Sequence, residues 1–408
     1  MTLLSTCIGW VRHPRLAYIS CLMVIAGMFL SRAMMSIGMI TLVIHTLAQW
    51  NKLKHLRVNI NGNIASWCVL YFIVMALSLI TATDTAFAQE RFQIILPFVV
   101  LPLAFGTMGR WNQGQWTFFV AFFLSFLAVG MGWSMMVYFS HKEAYDAGYG
   151  LSQVIPTPFR NDHIRFSMAV IMGLCFGVEW LFLKQKVYRY AGMGFCVLAV
   201  IYLHILSSKT GLGLLYLLTL VYLFRHAIRT RKYWQSIILL FALGLMSWMM
   251  YQTSATFRNK LSYFRYSLGQ IQNNELQPRV SDEGRIISYR YAWDAFRRKP
   301  LLGYGYGNVR SVMARYYEKD FPGQQQLILL PHNQFLVTLL AAGIPAVLLL
   351  CILLFSAWKG LRNSFTGLAF FLMCVVVMMI EPLLETQYGT TMFLFFLLVL
   401  LHRRRTAL

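Results

Sequence analysis

Charge is scarce in this chain and acid scarcest of all: charged residues are 12% of 408, with 14 Asp and Glu against 36 Lys and Arg. Together with a 58% hydrophobic content gathered into runs of membrane-spanning length, this shortage excludes a soluble domain. Cysteine is also sparse, and badly placed for cross-linking. Cys7, Cys21, Cys68, Cys175, Cys196, Cys351 and Cys374 lie in or beside apolar runs, so no disulfide framework is expected. The nine histidines are scattered, with no His-x-x-x-His or Cys-x-x-Cys pair, so no metal site and no cofactor are expected. A net charge of +22 suits a nucleic-acid binder, but Lys and Arg cluster at the ends of apolar runs. That is the pattern of topology determinants, and no nucleic-acid partner is expected.

What is present is apolar helix. The spacing predicts an all-α polytopic membrane protein with about twelve spans, near residues 16–31, 33–49, 64–82, 92–108, 116–139, 164–182, 191–207, 211–224, 234–252, 334–357, 364–380 and 388–401. Alternate connections carry 18 of the 36 Lys and Arg, against six in the short connections on the other side and twelve in one long loop. By the positive-inside rule both termini are expected in the cytoplasm and the long loop outside. The first apolar run is read as a retained span, because no small-residue cleavage site follows it. The chain then divides into residues 1–252, holding nine spans, a long outer loop over 253–333, and residues 334–408, holding three spans and a cytoplasmic tail.

The long loop concentrates the residues that bear chemistry. Ser281-Asp282-Glu283 reads as a helix start, with Ser281 as N-cap and two acids in the first turn, and Pro300 stops the helix after Lys299. Ile286, Tyr289, Trp293 and Phe296 give it an apolar face. Arg285 falls in the first turn, where unpaired backbone N–H groups favour an anion; the alternative is a pair with Asp282. Three glycines alternate in Gly303-Tyr304-Gly305-Tyr306-Gly307-Asn308, a turn that lets backbone approach a ligand. His332 and Asn333 follow Pro331 where the loop re-enters the membrane, and there Asn333 is also a natural helix cap.

Two further cationic clusters lie on the outer side. Lys209 sits between two apolar runs beside Ser207, Ser208 and His204; it either meets an anion or snorkels to the surface. His163 and Arg165 open the sixth span, where a guanidinium needs an anion, and Asp162 is the bland candidate. Glu179 is read as snorkelling towards Lys184 and takes no chemistry.

The series Gly284-Arg285, Ala292-Trp293, Pro300-Leu301-Leu302-Gly303-Tyr304-Gly305, Pro331-His332-Asn333-Gln334-Phe335-Leu336 and Ala342-Gly343-Ile344 resembles the O-antigen ligase and polymerase superfamily. The likeness is detailed over residues 280–345 and general elsewhere. It implies a GT-C-like membrane fold with one long periplasmic loop that contains helices. It also implies roles. His332 becomes the base or organiser for an acceptor hydroxyl, and Arg285 a ligand of the pyrophosphate on an undecaprenyl-linked glycan. The family's Ser-Arg-Thr triplet reads Ser208-Lys209-Thr210 here, which keeps the charge but loses the bidentate fork. Arg165, His163, Gly303, Gly305 and Asn333 complete the expected set for pyrophosphate or glycan binding.

The function expected is therefore an O-antigen ligase-type glycosyltransferase in the bacterial inner membrane. Its partners are an undecaprenyl-pyrophosphate-linked glycan donor, a lipid A-core or other glycan acceptor, and membrane lipids. Three alternatives stand: an O-antigen polymerase joining lipid-linked repeat units, a protein-glycosylating transferase of the same superfamily, and a lipid-linked glycan flippase or transporter. The last is expected to carry charges deep in several spans and pseudo-repeated halves.

Overall fold

The computed structural model describes residues 11–55, 64–148, 154–231, 233–253, 255–273, 281–324 and 328–407. Its principal helices, in chain order, are α1 (Pro14–Leu30), α2 (Arg32–Ala48), α3 (Ile64–Leu77), α4 (Thr85–Ile95), α5 (Pro97–Thr107), α6 (Gln113–Ser140), α7 (His163–Leu181), α8 (Lys186–Leu206), α9 (Lys209–Thr230), α10 (Tyr233–Thr253), α11 (Ala255–Gln272), α12 (Ser281–Arg298), α13 (Val309–Asp320), α14 (Gln334–Leu361), α15 (Phe365–Ile380) and α16 (Gln387–Ala407). The protein is all-α and polytopic. Among the described residues, eight helical stretches are long and apolar enough to cross a membrane, and α1, α2 and α15 are shorter apolar helices.

Helices of this fold can be apolar on the outward face as well as the buried one. Along α2, Ile37, Ile40, Ile44 and Leu47 form an exposed apolar stripe, while Met35, Gly38, Leu42 and His45 are buried. Only a hydrocarbon surround makes such a stripe stable, since every backbone polar group is already satisfied within the helix.

The chain folds as two compact units. The first holds residues 1–117, 276–363 and 374–408. In it α1 packs on α2, α3 lies against both α5 and α14, and α12 docks on α14. The second holds residues 118–275 and 364–373, where α7 packs on α8 and α9, and α10 lies against α9 and α11.

Among the described residues between α10 and α14 there are three α-helices where the sequence pattern pointed to one. The expected helix is α12, with Asp282 and Glu283 in its first turn and Arg297 and Arg298 in its last, each complementing the helix dipole. Capping by Ser281 lies outside the described side chains. The expected apolar face is only partly covered, with Trp293 51% exposed. The residues that bury are Glu283, Gly284, Ile287, Ser288, Ala292 and Ala295. Small side chains win this face because they let α12 approach α14 closely.

Candidate functional site

The first turn of α14 begins at a tightly determined point. Asn333 has extended backbone (φ −154°, ψ 120°), and its Oδ1 accepts from the N–H groups of Phe335 at 2.9 Å and Leu336 at 3.1 Å. Its Nδ2 donates to the Met379 carbonyl at 2.9 Å. Both ends of the amide are thus engaged in capping and docking.

His332, one residue earlier, is held from two directions. Its carbonyl accepts from the Tyr289 hydroxyl at 2.7 Å, and its N–H points to Ser288 Oγ at 3.5 Å, both on α12. Burial holds the Tyr289 phenol above its ordinary range, so it stays a donor. The imidazole Nδ1 lies 3.1 Å from Oε2 of Glu381.

Glu381 stands just past the end of α15, in the break before α16. Its other oxygen, Oε1, accepts from Nη2 of Arg285. One carboxylate therefore bridges the imidazole and the guanidinium. Arg285 also faces Asp282, but with Nη1–Oδ1 at 3.6 Å, which is longer than a hydrogen bond. Arg285 and His332 keep about a quarter of their side-chain surface exposed (22% and 24%), whereas Glu381 keeps 8%. The arrangement is a buried acid presenting a cation and an imidazole towards solvent.

Beside this bridge lies a second acid, Glu385, buried with Arg91, Tyr306 and Gln334. Neither glutamate is among the residues that the sequence singled out. The usable signal was Met379-Ile380-Glu381-Pro382-Leu383-Leu384-Glu385, two acids in an otherwise apolar stretch of a chain with only 14 acids.

The glycine turn makes backbone contacts within the fold. Gly303 (φ +64°) and Gly305 (φ +92°) take left-handed conformations, and the Tyr304 and Gly305 N–H groups donate to the carbonyls of Leu340 and Ala341 at 2.7 and 3.0 Å. Those carbonyls are freed because α14 breaks its helical geometry at Ala342 and Gly343. A Cβ on Gly303 would lie 2.5 Å from the Leu340 oxygen, and one on Gly305 2.3 Å from Thr81 Oγ1. Close packing by itself accounts for both glycines. A cleft of about 830 Å³ opens along the turn, lined in part by Leu77, Thr81, Lys299, Leu302 and Pro345.

The remaining expected residues belong to the second unit. Lys209 Nζ stands over the rings of Tyr263 at 5.3 Å and Phe264 at 4.9 Å, a cation–π arrangement. Arg165 is buried and its Nη1 donates to Asp162 at 2.6 Å, while Asp162 also caps α7 through the Arg165 N–H. His163 opens α7, its carbonyl accepting from Ser167 at 2.6 Å. Glu179 accepts from Thr366 at 2.5 Å. Among the described residues no cluster of His, Cys, Asp and Glu could hold a metal ion.

The fold and this geometry define a multi-pass α-helical membrane protein with a carboxylate-bridged cation and imidazole. Residues 194–351 match the family model described as O-antigen ligase. That stretch includes Lys209, Arg285, the glycine turn and His332, and ends before Glu381. The match supports the O-antigen ligase and polymerase superfamily, and with it glycosyltransferase-like activity on lipid-linked glycans. No curated protein matches the chain.

Proposed function

We propose that this protein is an O-antigen ligase-type glycosyltransferase. In this reading it moves a glycan from undecaprenyl pyrophosphate to a lipid A-core sugar hydroxyl at the periplasmic face of the inner membrane, with both termini in the cytoplasm. The observation that carries the reading is the Glu381 bridge between Arg285 and His332.

The location sets the energetics. Nucleotide sugars are absent outside the cytoplasmic membrane, so the driving force resides in a leaving group already attached to the donor. The acceptor oxygen attacks the anomeric carbon as the bond to the pyrophosphate oxygen breaks. The electron pair departs with the polyprenyl pyrophosphate, and the hydroxyl proton passes to His332. Donation of Nδ1–H to Glu381 leaves the Nε2 lone pair for that proton. Glu381 has the orienting role that carboxylates play beside catalytic histidines.

Arg285 supplies positive charge where negative charge develops. Its bond to Glu381 fixes one edge of the fork, and the longer contact with Asp282 leaves Nη1 open to a phosphate oxygen. For Lys209, a phosphate-binding role is proposed separately, from the likeness of Ser208-Lys209-Thr210 to the family's triplet. With cations performing this role, transfer is expected to be metal-independent.

Surface polysaccharide from a deletion strain tests the reading. Full-length polymer stranded on its lipid carrier is the expected result. Single repeat units on lipid A-core would identify a polymerase instead, and unchanged polysaccharide would overturn both.

A further inference from the structure

Glu385 and its partners form a buried polar cluster within the first unit, which reaches the surface through an Arg91–Glu90 ion pair at 3.0 Å. Arg91 Nη1 donates to Glu385 Oε2 at 2.9 Å and to the Glu385 carbonyl at 3.1 Å. The Tyr306 hydroxyl donates to the same Oε2 at 2.9 Å, and Gln334 Nε2 donates to Oε1 at 3.1 Å. All four residues are at most 5% exposed. Burial, reinforced by the Glu385 charge, pushes the Tyr306 phenol well up, so it remains a donor.

Such a cluster is poor at stabilising a fold, because desolvating two charges offsets most of their attraction and a packed apolar set serves as well. What it does well is hold geometry. Its donors come from three separate places: α4, the glycine turn and the first residue of α14. They converge on the segment between α15 and α16, where Pro382 interrupts the helix and side-chain bonds supplement a few turn hydrogen bonds.

Gln334 is the link between the two halves. Its Oε1 accepts from the Leu384 N–H at 2.7 Å while its Nε2 holds Glu385. The neighbouring bonds run the same way: Asn333 Nδ2 to the Met379 carbonyl, and His332 Nδ1 to Glu381. Residues 332–334 and 379–385 are thus joined by side-chain bonds, with the His332–Glu381 contact falling between the other two along 379–385.

We propose that Gln334 is a positioning residue for transfer, setting the register of His332 against Glu381 by locking α14 to Glu385, which Arg91 and Tyr306 hold in place. The proposal rests on the assignment of His332 and Glu381 to the reaction. It makes a chemical demand on position 334. The side chain there must donate to a carboxylate and accept from a backbone N–H at once, and at this length only an amide does both. Glutamate has no donor for Glu385 and adds a like charge. Methionine fills the same space with neither group.

The test compares purified Gln334→Met, Gln334→Glu and Tyr306→Phe with the parent and with His332→Ala. Gln334→Met is expected to lower kcat on the order of 10- to 100-fold, because misplacement by about 1 Å carries that cost. Its KM for lipid-linked donor should stay within about 2-fold, since the donor's phosphate is assigned to Arg285 on α12, whose bond to Glu381 does not run through Gln334. Gln334→Glu should be worse, and Tyr306→Phe should show a smaller loss in kcat of the same kind. Parent-level kcat in Gln334→Met with an inactive His332→Ala overturns the positioning role and leaves the reaction assignment standing. Parent-level kcat in both removes the reaction assignment itself. If Gln334→Met fails to fold, Tyr306→Phe decides: a lowered kcat at unchanged KM supports the role, and parent-level kcat overturns it.

Discussion

Nδ1 of His332 lies 3.1 Å from Oε2 of Glu381. The same carboxylate holds Arg285 through its other oxygen, so the imidazole and the guanidinium share one anchor. Altering that anchor should disturb both. Glu381→Gln is expected to reduce transfer by ~100-fold or more, because the amide removes the charge that orients the imidazole and pairs with the guanidinium. Initial rates with lipid-linked donor, measured at matched protein level, provide the check; parent-like rates exclude an orienting role.

His332→Ala should lose ~100- to 10,000-fold in transfer, the usual contribution of a positioned acid–base group. The variant should still insert in the membrane and still bind donor, since the imidazole acts on the acceptor. Full ligation by a well-expressed variant in cells lacking the parental gene would leave His332 as a loop residue docked on α12.

The two cations should respond differently to conservative change. Arg285→Ala is expected to abolish transfer nearly completely, and Arg285→Lys to recover little, because lysine cannot hold Glu381 and a phosphate oxygen with a planar fork. At Lys209 the order reverses in emphasis, with Lys209→Arg tolerated better than Lys209→Ala. Activity assays on the four variants, with and without chelator, separate these effects. A strict divalent-metal requirement would count against charge stabilisation by side chains alone.

Gly343→Ala should cost stability before it costs chemistry. Gly343 holds φ +70°, and an added Cβ would lie 2.0 Å from the Leu301 carbonyl oxygen. The left-handed backbone alone costs ~1–3 kcal/mol for a residue with a side chain. A lowered thermal midpoint in detergent is the expected result; an unchanged midpoint would mean that the kink in α14 relaxes freely.

Orientation follows from the phase of the Lys and Arg clusters. Single cysteines at Gln270 and Gln324 in a cysteine-free background should react with an impermeant thiol reagent when the outer membrane is permeabilised, and one at Ser364 should not. Labelling at Ser364 alone would invert the topology.

Hydropathy and spacing determined much of this protein directly. Apolar runs must become helices because a bilayer offers no partner for backbone polar groups, and helices cover the expected stretches, with eight helical stretches long and apolar enough to cross a membrane among the described residues. The end of α12 was equally legible, since Pro300 acts within a turn of where it sits. Asn333 as the cap of α14 was open from the start as an alternative to ligand binding, and cap geometry is local. The extra helices α11 and α13 were not evident, being polar enough to read as loop.

Only the tertiary structure decided which charges meet. Arg285 and Glu381 are 96 residues apart, His332 and Glu381 are 49, and Arg91 and Glu385 are 294. A helical period or a turn signal reports on neighbours within a few residues, whereas an ion pair depends on where two distant segments dock. The same limit hid the role of Gln334, whose side chain is unremarkable until Leu384 and Glu385 are placed beside it. The glycines at 303, 305 and 343 were legible as permissive backbone, but that they let a turn and a broken helix touch is a fact of packing.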